Sequence, residues 1–314
     1  MTSLRRQRKY LATLFIIMVF NVAATWSQTT QSNSVRFLIV SDEGGLASSD
    51  QKAVAAAMAK EAERIKAQFV VTGGDNYHEN GIASATDPRW KTEFEDVYSF
   101  TSLQIPWYPS LGNHDNRGNV DGEIEHSKFS VRWKLPSRYY AQTERVDDST
   151  TLLIVHLDTS PFITQYRMEP DEYHMKGLET KGQVAWLDSV LSATDARWSI
   201  VVGHHPIYSA ASKHGDTKEL IDQILPILKK HNVPMYVCGH DHILQHLKHD
   251  MMDFVICGGG AKHRDVEQRE DAVFGAGSLG FVSVSVSAQD LRLNFIDANN
   301  TVLHSVQIPA STSK

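Results

Sequence analysis

The chain has 314 residues, of which 41% are hydrophobic and 22% are charged, and its formal net charge is −6. This is the composition of an ordinary globular protein, long enough for one large domain or two small ones. An acidic chain without a basic stripe is a poor general binder of nucleic acid, so we expect no nucleic-acid partner.

The first residues differ in composition from the rest of the chain. Four cations open it: Arg5, Arg6, Arg8 and Lys9. An almost wholly apolar run follows at 11–24, and small residues come next. This pattern is typical of a secretory signal peptide. An uncleaved membrane anchor is the alternative, but the run is short for a bilayer span of about 20 residues.

The predicted organisation is therefore a signal peptide at 1–27, a flexible leader at 28–34 and one domain at 35–314. Removal of the four cations would leave a mature chain with a formal charge of about −10. We expect a secreted or periplasmic (extracytoplasmic) protein with no stable membrane span after the signal is removed. We also expect a monomer.

Apolar runs and helical patterns then alternate along the chain. In chain order the pattern predicts strand 35–41, helix 53–66, strand 69–72, helix 90–100, strand 107–111, strand 152–157, helix 181–191, strand 198–202, helix 218–230, strands 234–238 and 254–257, and β-type alternation at 281–286, 291–297 and 302–308. Continuous apolar strands indicate burial on both faces. The predicted class is α/β (α+β), with a central two-sheet β-sandwich flanked by helices.

Polar side chains gather directly after several of these predicted strands. They are Asp42, Asp75, Asn113, His114, His204, His240, Asp241 and His242. Loops at the carboxyl ends of strands converge on one crevice. Carboxylate, imidazole and carbonyl oxygen are ligands for divalent ions, and a shared carboxylate can hold two ions about 3.5–4 Å apart. The pattern therefore predicts a dimetal site at the carboxyl ends of the strands.

Each segment also has a plain structural interpretation. Asp42 alone, or Asp75 within GDN, is a good turn residue, and His204 after an apolar strand could be a buried core histidine. The pair His240 and His242 is harder to explain in this way, because both can face one ion. The five segments together, each after a strand, favour the metal site.

Five motifs carry a resemblance to a known family. They are 41–45 (SDEGG), 74–76 (GDN), 112–115 (GNHD), 203–206 (GHHP) and 239–242 (GHDH). The chain resembles the calcineurin-like metallophosphoesterases, and within them the small tartrate-resistant purple acid phosphatases. The resemblance runs from about residue 35 to 309. It implies hydrolysis of phosphate esters by metal-activated water, without a covalent intermediate.

The resemblance also implies a role for individual residues. Asp42, Asp75 and His242 would hold the first metal, Asp75 would bridge, and Asn113, His204 and His240 would complete the second site. His114 would face the substrate phosphate, and His214 matches a second substrate-facing histidine more loosely. Apart from the resemblance, Asp115 could orient the His114 imidazole, as carboxylates near such rings often do. The implied cofactors are two metal ions, either iron with iron, zinc or manganese, or a divalent pair.

One position departs from the family pattern. The purple enzymes place a metal-binding tyrosine three residues after the bridging aspartate, and this chain has His78 there, with Tyr77 one residue earlier. We predict that His78 is a ligand of the first metal. A neutral imidazole in place of a phenolate should favour a divalent pair. The alternative is a shifted loop that lets Tyr77 reach the metal.

The resulting hypothesis is an exported acid phosphatase that acts on a phosphorylated small molecule or a phosphoprotein. The alternatives are a phosphodiesterase or nucleotide pyrophosphatase on the same site, a non-catalytic exported binding protein, and a metal-storage or structural protein. Sequence leaves Cys238 and Cys257 open between a disulfide and two buried thiols. His205 could pack or line the pocket. Three later histidines are expected at the surface: His246, His249 and His263. Because His263 follows a run of three glycines, it could instead approach the site.

Overall fold

The computed structural model describes residues 34–310, so the predicted signal peptide lies outside the described residues. Thirteen strands are described: β1 Val35–Val40, β2 Phe69–Thr72, β3 Trp107–Pro109, β4 Tyr140–Arg145, β5 Thr151–His156, β6 Trp198–Val202, β7 Met235–Cys238, β8 Leu244–His249, β9 Met252–Cys257, β10 Ala272–Ala276, β11 Gly280–Val286, β12 Asp290–Asp297 and β13 Val302–Pro309. Seven α-helices are described: α1 Ser49–Ile65, α2 Asn113–Arg117, α3 Val120–His126, α4 Thr164–Met168, α5 Thr180–Ala193, α6 Lys218–Gln223 and α7 Leu225–Lys230. None of the helices within 34–310 is long and apolar enough to cross a membrane.

The strands form two sheets of mixed direction. One has the order β13-β12-β11-β1-β2-β3 and the other β10-β8-β9-β7-β6-β5-β4. The parallel strands β1, β2 and β3 occupy one edge of the first sheet, and β5, β6, β7 and β9 run parallel in the second. This is the predicted two-sheet sandwich flanked by helices, so the fold prediction is confirmed.

Both faces of the inner strands are buried, as their continuous apolar character indicated. In β1, Phe37 and Ile39 pack between the two sheets, whereas Leu38 and Val40 pack on the opposite face with α1 residues such as Val54. The second sheet packs its outer face against residues of α5, α6 and α7. The layers are therefore helix, sheet, sheet, helix, and the sheets bury most of the core.

Some predicted elements differ from the observed ones. The helix predicted at 90–100 is a single π-helical turn, Trp90–Glu95. The helix predicted at 218–230 is two helices, because Pro226 lies near the start of α7 and cannot donate a backbone hydrogen bond to α6. Strands β4, β8 and β10 were not predicted from the sequence. Strand β4 lies at the edge of the second sheet, and its residues are largely polar. Buried and exposed positions alternate along it, which is common in edge strands.

The two cysteines do not form a disulfide. Cys238 of β7 pairs in register with Ile256 of β9, so its neighbour Cys257 points to the other face of the sheet. Cys238 accordingly packs in the outer core with the helices and Cys257 packs between the sheets. Both are buried free thiols.

A buried histidine should make the fold sensitive to acid. His156 ends β5, is fully buried, and stacks on Tyr140 with 4.4 Å between ring centroids. Burial lowers the pKa of His156 to about 3. The unfolded chain binds this proton near pH 6.5, so stability is present above that pH and is lost as pH falls towards 3, by up to about 1.4 kcal/mol per unit.

We therefore expect His156→Phe to flatten the acid side of the stability profile. The phenyl ring keeps the stacking on Tyr140 and cannot take up a proton. The measurement is the melting temperature of both proteins from pH 7 to pH 4. If the two curves fall in parallel, His156 does not cause the acid sensitivity.

Candidate metal centre

The site lies where several parallel strands end. Asp42 follows β1, Asp75 follows β2, Asn113 begins α2 after β3, His204 follows β6, and His240 follows β7. The carboxyl ends of these strands open on the same side of the sandwich, as expected for this type of sheet. The segments that meet here are far apart in the chain. The backbone N–H of His240, for example, donates to Oδ2 of Asp42, 198 residues earlier.

Sharp backbone turns aim three of these side chains inward. Asp42, Asp75 and His240 all have positive φ values, of 57°, 55° and 65°. Left-handed backbone is unfavourable for residues other than glycine, at a cost of order 1–3 kcal/mol each, and such strain concentrates at functional sites. Glycine before a ligand gives room for the turn. A Cβ atom on Gly239 would lie 2.3 Å from Asp42 Oδ2, and one on Gly112 would lie 2.2 Å from Asp75 Oδ1.

The ligand atoms of one half of the site converge closely. Asn113 Oδ1 lies 3.1 Å from both His204 Nε2 and His240 Nδ1, and those two nitrogens are 3.2 Å apart. The Nδ1–H of His204 donates to the Gly73 carbonyl, which leaves a lone pair on Nε2 of the neutral ring. Lone pairs therefore face one another unless a cation or a proton lies between them.

Asp75 lies between the two halves. Its Oδ2 is 3.3 Å from His204 Nε2 and 3.8 Å from His78 Nε2, and its Oδ1 accepts the backbone N–H of His114 at 2.8 Å. On the far side, His242 Nε2 lies 3.4 Å from Asp42 Oδ1. Burial alone would raise the pKa of both carboxyls, but the neighbouring imidazoles outweigh it and lower both, that of Asp75 to well below its usual range.

The same electrostatic interaction also shifts the pKa of His204, the imidazole partner of Asp75. Burial lowers the pKa of its imidazole, but the Asp75 carboxylate and then Asp42 outweigh it and raise that pKa to about 9. The buried anions thus attract positive charge to this point, in the form of a proton or a metal ion.

Several buried polar atoms of the site have no hydrogen-bond partner. Such atoms show whether the residues are suited to bind a metal ion. Asp42 Oδ1 and His78 Nε2 are buried without a hydrogen bond among the described residues. Unpaired buried acceptors are costly, and a cation would satisfy both. Within residues 34–310, four groups of three side chains bring one ligand atom each within 4.8 Å of one another: His204–His205–His240, Asp42–His78–His242, Asp75–His78–His114 and Asp42–Asp75–His204. The donor set fits two metal ions.

Tyr77 and His78 point to different surroundings. Tyr77 is 1% exposed, its ring packs edge-on against Trp90 at 5.0 Å, and its hydroxyl has no described partner. Burial raises the pKa of this phenol well above its usual range. His78 Nδ1 donates instead to the Gly44 carbonyl, which directs Nε2 to the carboxylates. The shifted loop considered from the sequence is not observed.

This contrast gives a matched pair of variants. We expect Tyr77→Phe to keep its metal content and activity, because it removes only an unpaired buried hydroxyl. His78→Phe places the same ring one residue later and removes a ligand atom, so we expect it to lose metal. Elemental analysis of both purified proteins measures the difference. Equal metal content in the two variants would contradict the role of His78.

The two predicted substrate-facing histidines lie beside these ligand atoms. The His114 Nδ1–H donates to the Glu79 carbonyl at 2.7 Å, and Nε2 lies 4.0 Å from Asp75 Oδ2. The His214 ring centroid lies 4.3 Å from that of His240. Burial and the nearby Lys213 lower the pKa of His214 to about 4, so its imidazole is neutral above that pH.

The role expected for Asp115 needs correction. Its carboxylate accepts hydrogen bonds from the backbone N–H groups of Gly112, Asn76 and Tyr77, and so ties the loop after β2 to the start of α2. The carbonyl that orients the His114 ring belongs to Glu79. A backbone acceptor 35 residues away leaves no signal in the sequence.

The structure decides the role of His205 and corrects that of His246. His205 hydrogen-bonds through Nδ1 to Thr159 Oγ1 at 2.8 Å and through Nε2 to the Tyr166 hydroxyl at 3.2 Å, so it supports the wall of the site. His246 is not a surface residue: it is 3% exposed and its Nε2 lies 2.7 Å from Asp253 Oδ1.

Comparison with known proteins agrees with this architecture. The family model of the calcineurin-like phosphoesterases matches residues 35–244, and the chain belongs to that family. It is 34% identical to purple acid phosphatase 4 of Arabidopsis thaliana over 86% of this chain and 82% of that protein. It is 33% identical to tartrate-resistant acid phosphatase type 5 of Sus scrofa over 91% of this chain and 90% of that protein. The predicted family is confirmed.

A solved structure shares the fold at lower identity. GAP50, described as the anchor in the inner membrane complex of Plasmodium, superposes with a TM-score of 0.79 at 22% identity and covers 90% of each chain. This likeness supports the fold assignment alone.

Proposed function

We propose that this chain hydrolyses phosphate monoesters at a centre of two metal ions. The supporting observation is the convergence of carboxylate and imidazole ligand atoms around Asp75, in a chain whose relatives are named acid phosphatases. The proposed ligands are Asp42, Asp75, His78 and His242 for one ion and Asp75, Asn113, His204 and His240 for the other. When bound, such ions activate water and neutralise the phosphate.

The remaining steps belong to side chains of the chain itself. His114 is a quarter exposed and reaches towards the ligand atoms from outside them, so it can hold a phosphate oxygen or donate a proton to the leaving oxygen. The Glu79 carbonyl accepts from Nδ1, so Nε2 is the nitrogen that faces the ligand atoms. Proton donation from Nε2 requires the imidazolium form of the ring. His214 lies next to His240, and its imidazole can contact the same substrate.

The test combines three measurements on one purified sample: metal content, visible absorption, and initial rates on a phosphate monoester and a phosphate diester. We expect about two metals per chain, no strong charge-transfer band, and faster hydrolysis of the monoester. A faster diester rate would assign the chain to phosphodiesterases. No activity after metals are restored would overturn the proposal, and a strong band with iron present would contradict the divalent pair.

We also propose that residues 1–27 direct export and are removed. The supporting pattern is the basic start followed by the short apolar run. Expression in a secreting host, followed by N-terminal sequencing of the released protein, tests this. We expect a mature chain that begins near residue 28 and runs as a monomer in light scattering. Retention in the membrane with Met1 intact would show an uncleaved anchor.

A further inference from the structure

A loop beside the metal centre carries His214. The loop runs from Ser209 to Asp216, between β6 and α6, and the His214 ring centroid lies 4.3 Å from that of His240. His214 is exposed, so a substrate can reach its imidazole. The position of this imidazole depends on the contacts that hold the loop.

The start of the loop is tied to the ligand motif at 239–242. The Ser209 hydroxyl donates to Oδ2 of Asp241, which lies within that motif. The backbone N–H of Ala210 donates to Gln245 Oε1 at 3.0 Å. The first residues of the loop are therefore fixed next to the metal centre.

The end of the loop has one polar tether. Within residues 34–310, neither the backbone nor the side chains of 212–215 form a hydrogen bond, and Gly215 is in a left-handed conformation with a φ of 72°. Asp216 follows directly, and its Oδ1 accepts the Ser209 N–H at 3.0 Å, which closes the loop. The position of His214 therefore depends on the contacts of Asp216.

Arg269 holds the two ends of the loop together. Its Nη1 and Nη2 donate to Oδ1 and Oδ2 of Asp216, and Nη1 also donates to the Ser209 carbonyl at 2.9 Å. Its Nε donates to Asp271 Oδ1 at 2.6 Å, and its guanidinium lies 5.7 Å from the centre of the Tyr208 ring. Because the planar fork of arginine pairs with both carboxylate oxygens, it fixes the orientation of the carboxylate as well as its distance.

We propose that Arg269 is a positioning residue for the reaction: through Asp216 it holds His214 beside the metal ligands, where the imidazole contacts the phosphate of the substrate. The inference rests on the proposed phosphatase function and adds to it a residue outside all five motifs of the metal centre. Within the described part of the chain, the hydrogen bonds of Arg269 go to Asp216, Asp271 and the Ser209 carbonyl. Its effect on the rate should therefore pass through His214.

A double-mutant cycle on kcat/KM for a phosphate monoester tests this dependence. We expect His214→Ala and Arg269→Gln each to lower kcat/KM about tenfold, the loss expected for one hydrogen bond to a charged group. The double variant should match His214→Ala within about twofold, because Arg269 then has no imidazole to position. Arg269→Lys should recover part of the loss, since an ammonium keeps the charge but not the fork. Metal content should be the same in all of these variants.

Asp216→Ala supplies an independent test if Arg269→Gln fails to fold. It removes the same tether from the other side and leaves Arg269 paired with Asp271, so we expect the same loss and the same lack of additivity with His214→Ala. The control is Arg292→Gln, which removes an exposed arginine of β12 and should leave kcat/KM within about twofold of wild type. Losses that multiply in the double variants, or full activity of Arg269→Gln, would overturn the inference.

A binding measurement separates this inference from the phosphatase proposal. Calorimetric titration of the metal-loaded protein with orthophosphate needs no turnover. His214→Ala and Arg269→Gln should weaken orthophosphate binding about equally, and the double variant should weaken it no further. If the wild type hydrolyses no monoester, the proposed function fails and this titration alone decides the role of Arg269. A wild type that binds no orthophosphate, or an unchanged affinity in Arg269→Gln, would then exclude that role.

Discussion

The Asp75→Asn protein is expected to lose bound metal and at least about a thousandfold of its phosphatase activity, a change of about 4 kcal/mol in transition-state stabilisation. Asp75 Oδ2 is the atom that lies between His204 and His78, so one substitution removes a ligand from both proposed ion sites. The loss of one of the two ligand carboxylates also removes part of the negative charge that attracts cations to the centre.

The fold should survive this change. Asparagine has the same shape and keeps an oxygen that accepts the His114 N–H now bound to Oδ1. The measurements are elemental analysis and kcat/KM, with Asp290→Asn as the control because Asp290 lies on β12 and pairs with Arg292. A variant that retains two metals would show that Asp75 does not bridge them.

Replacing His114 by alanine is expected to lower kcat by about 10²- to 10⁴-fold while metal content is unchanged. The reason is that its Nε2 lies 4.0 Å from Asp75 Oδ2 and its ring is partly exposed, as suits a group that meets the substrate. The neighbouring Asn113→Ala should instead lose metal together with activity, because Asn113 Oδ1 lies 3.1 Å from two histidine nitrogens.

The comparison distinguishes two roles for adjacent residues. His231→Ala serves as the control, since His231 follows α7 and pairs with Asp188 away from the site. If His114→Ala also removes the metals, His114 is a ligand, in the group that it forms with Asp75 and His78. Unchanged kcat in His114→Ala would exclude it from the chemistry.

The amino-acid sequence by itself determined the inner strands, the order of layers and the chemical types of side chain at the centre. Continuous apolar runs such as Trp198–Val202 mark strands buried on both faces, because few soluble elements tolerate such a run exposed. The motif at each strand end then limits which donors can meet there. The apolar runs and the motifs that follow them are each formed by neighbouring residues, so the local amino-acid sequence specifies them.

Weaker local signals were misleading. The helical pattern at 90–100 became one π-helical turn, and the polar strand β4 carried too little apolar periodicity to be recognised. In both segments tertiary packing outweighs the local secondary-structure propensity, because these sequences are compatible with more than one backbone conformation.

Only the tertiary structure decided the orientation of side chains in the site. The Gly44 carbonyl turns His78 inward, the aromatic cluster holds Tyr77 away, and the Glu79 carbonyl takes the place expected for Asp115. Likewise, the sheet register sends Cys238 and Cys257 to opposite faces. The two carbonyl contacts join segments 34 and 35 residues apart through backbone groups that every residue carries, so the identities of the residues could not specify them.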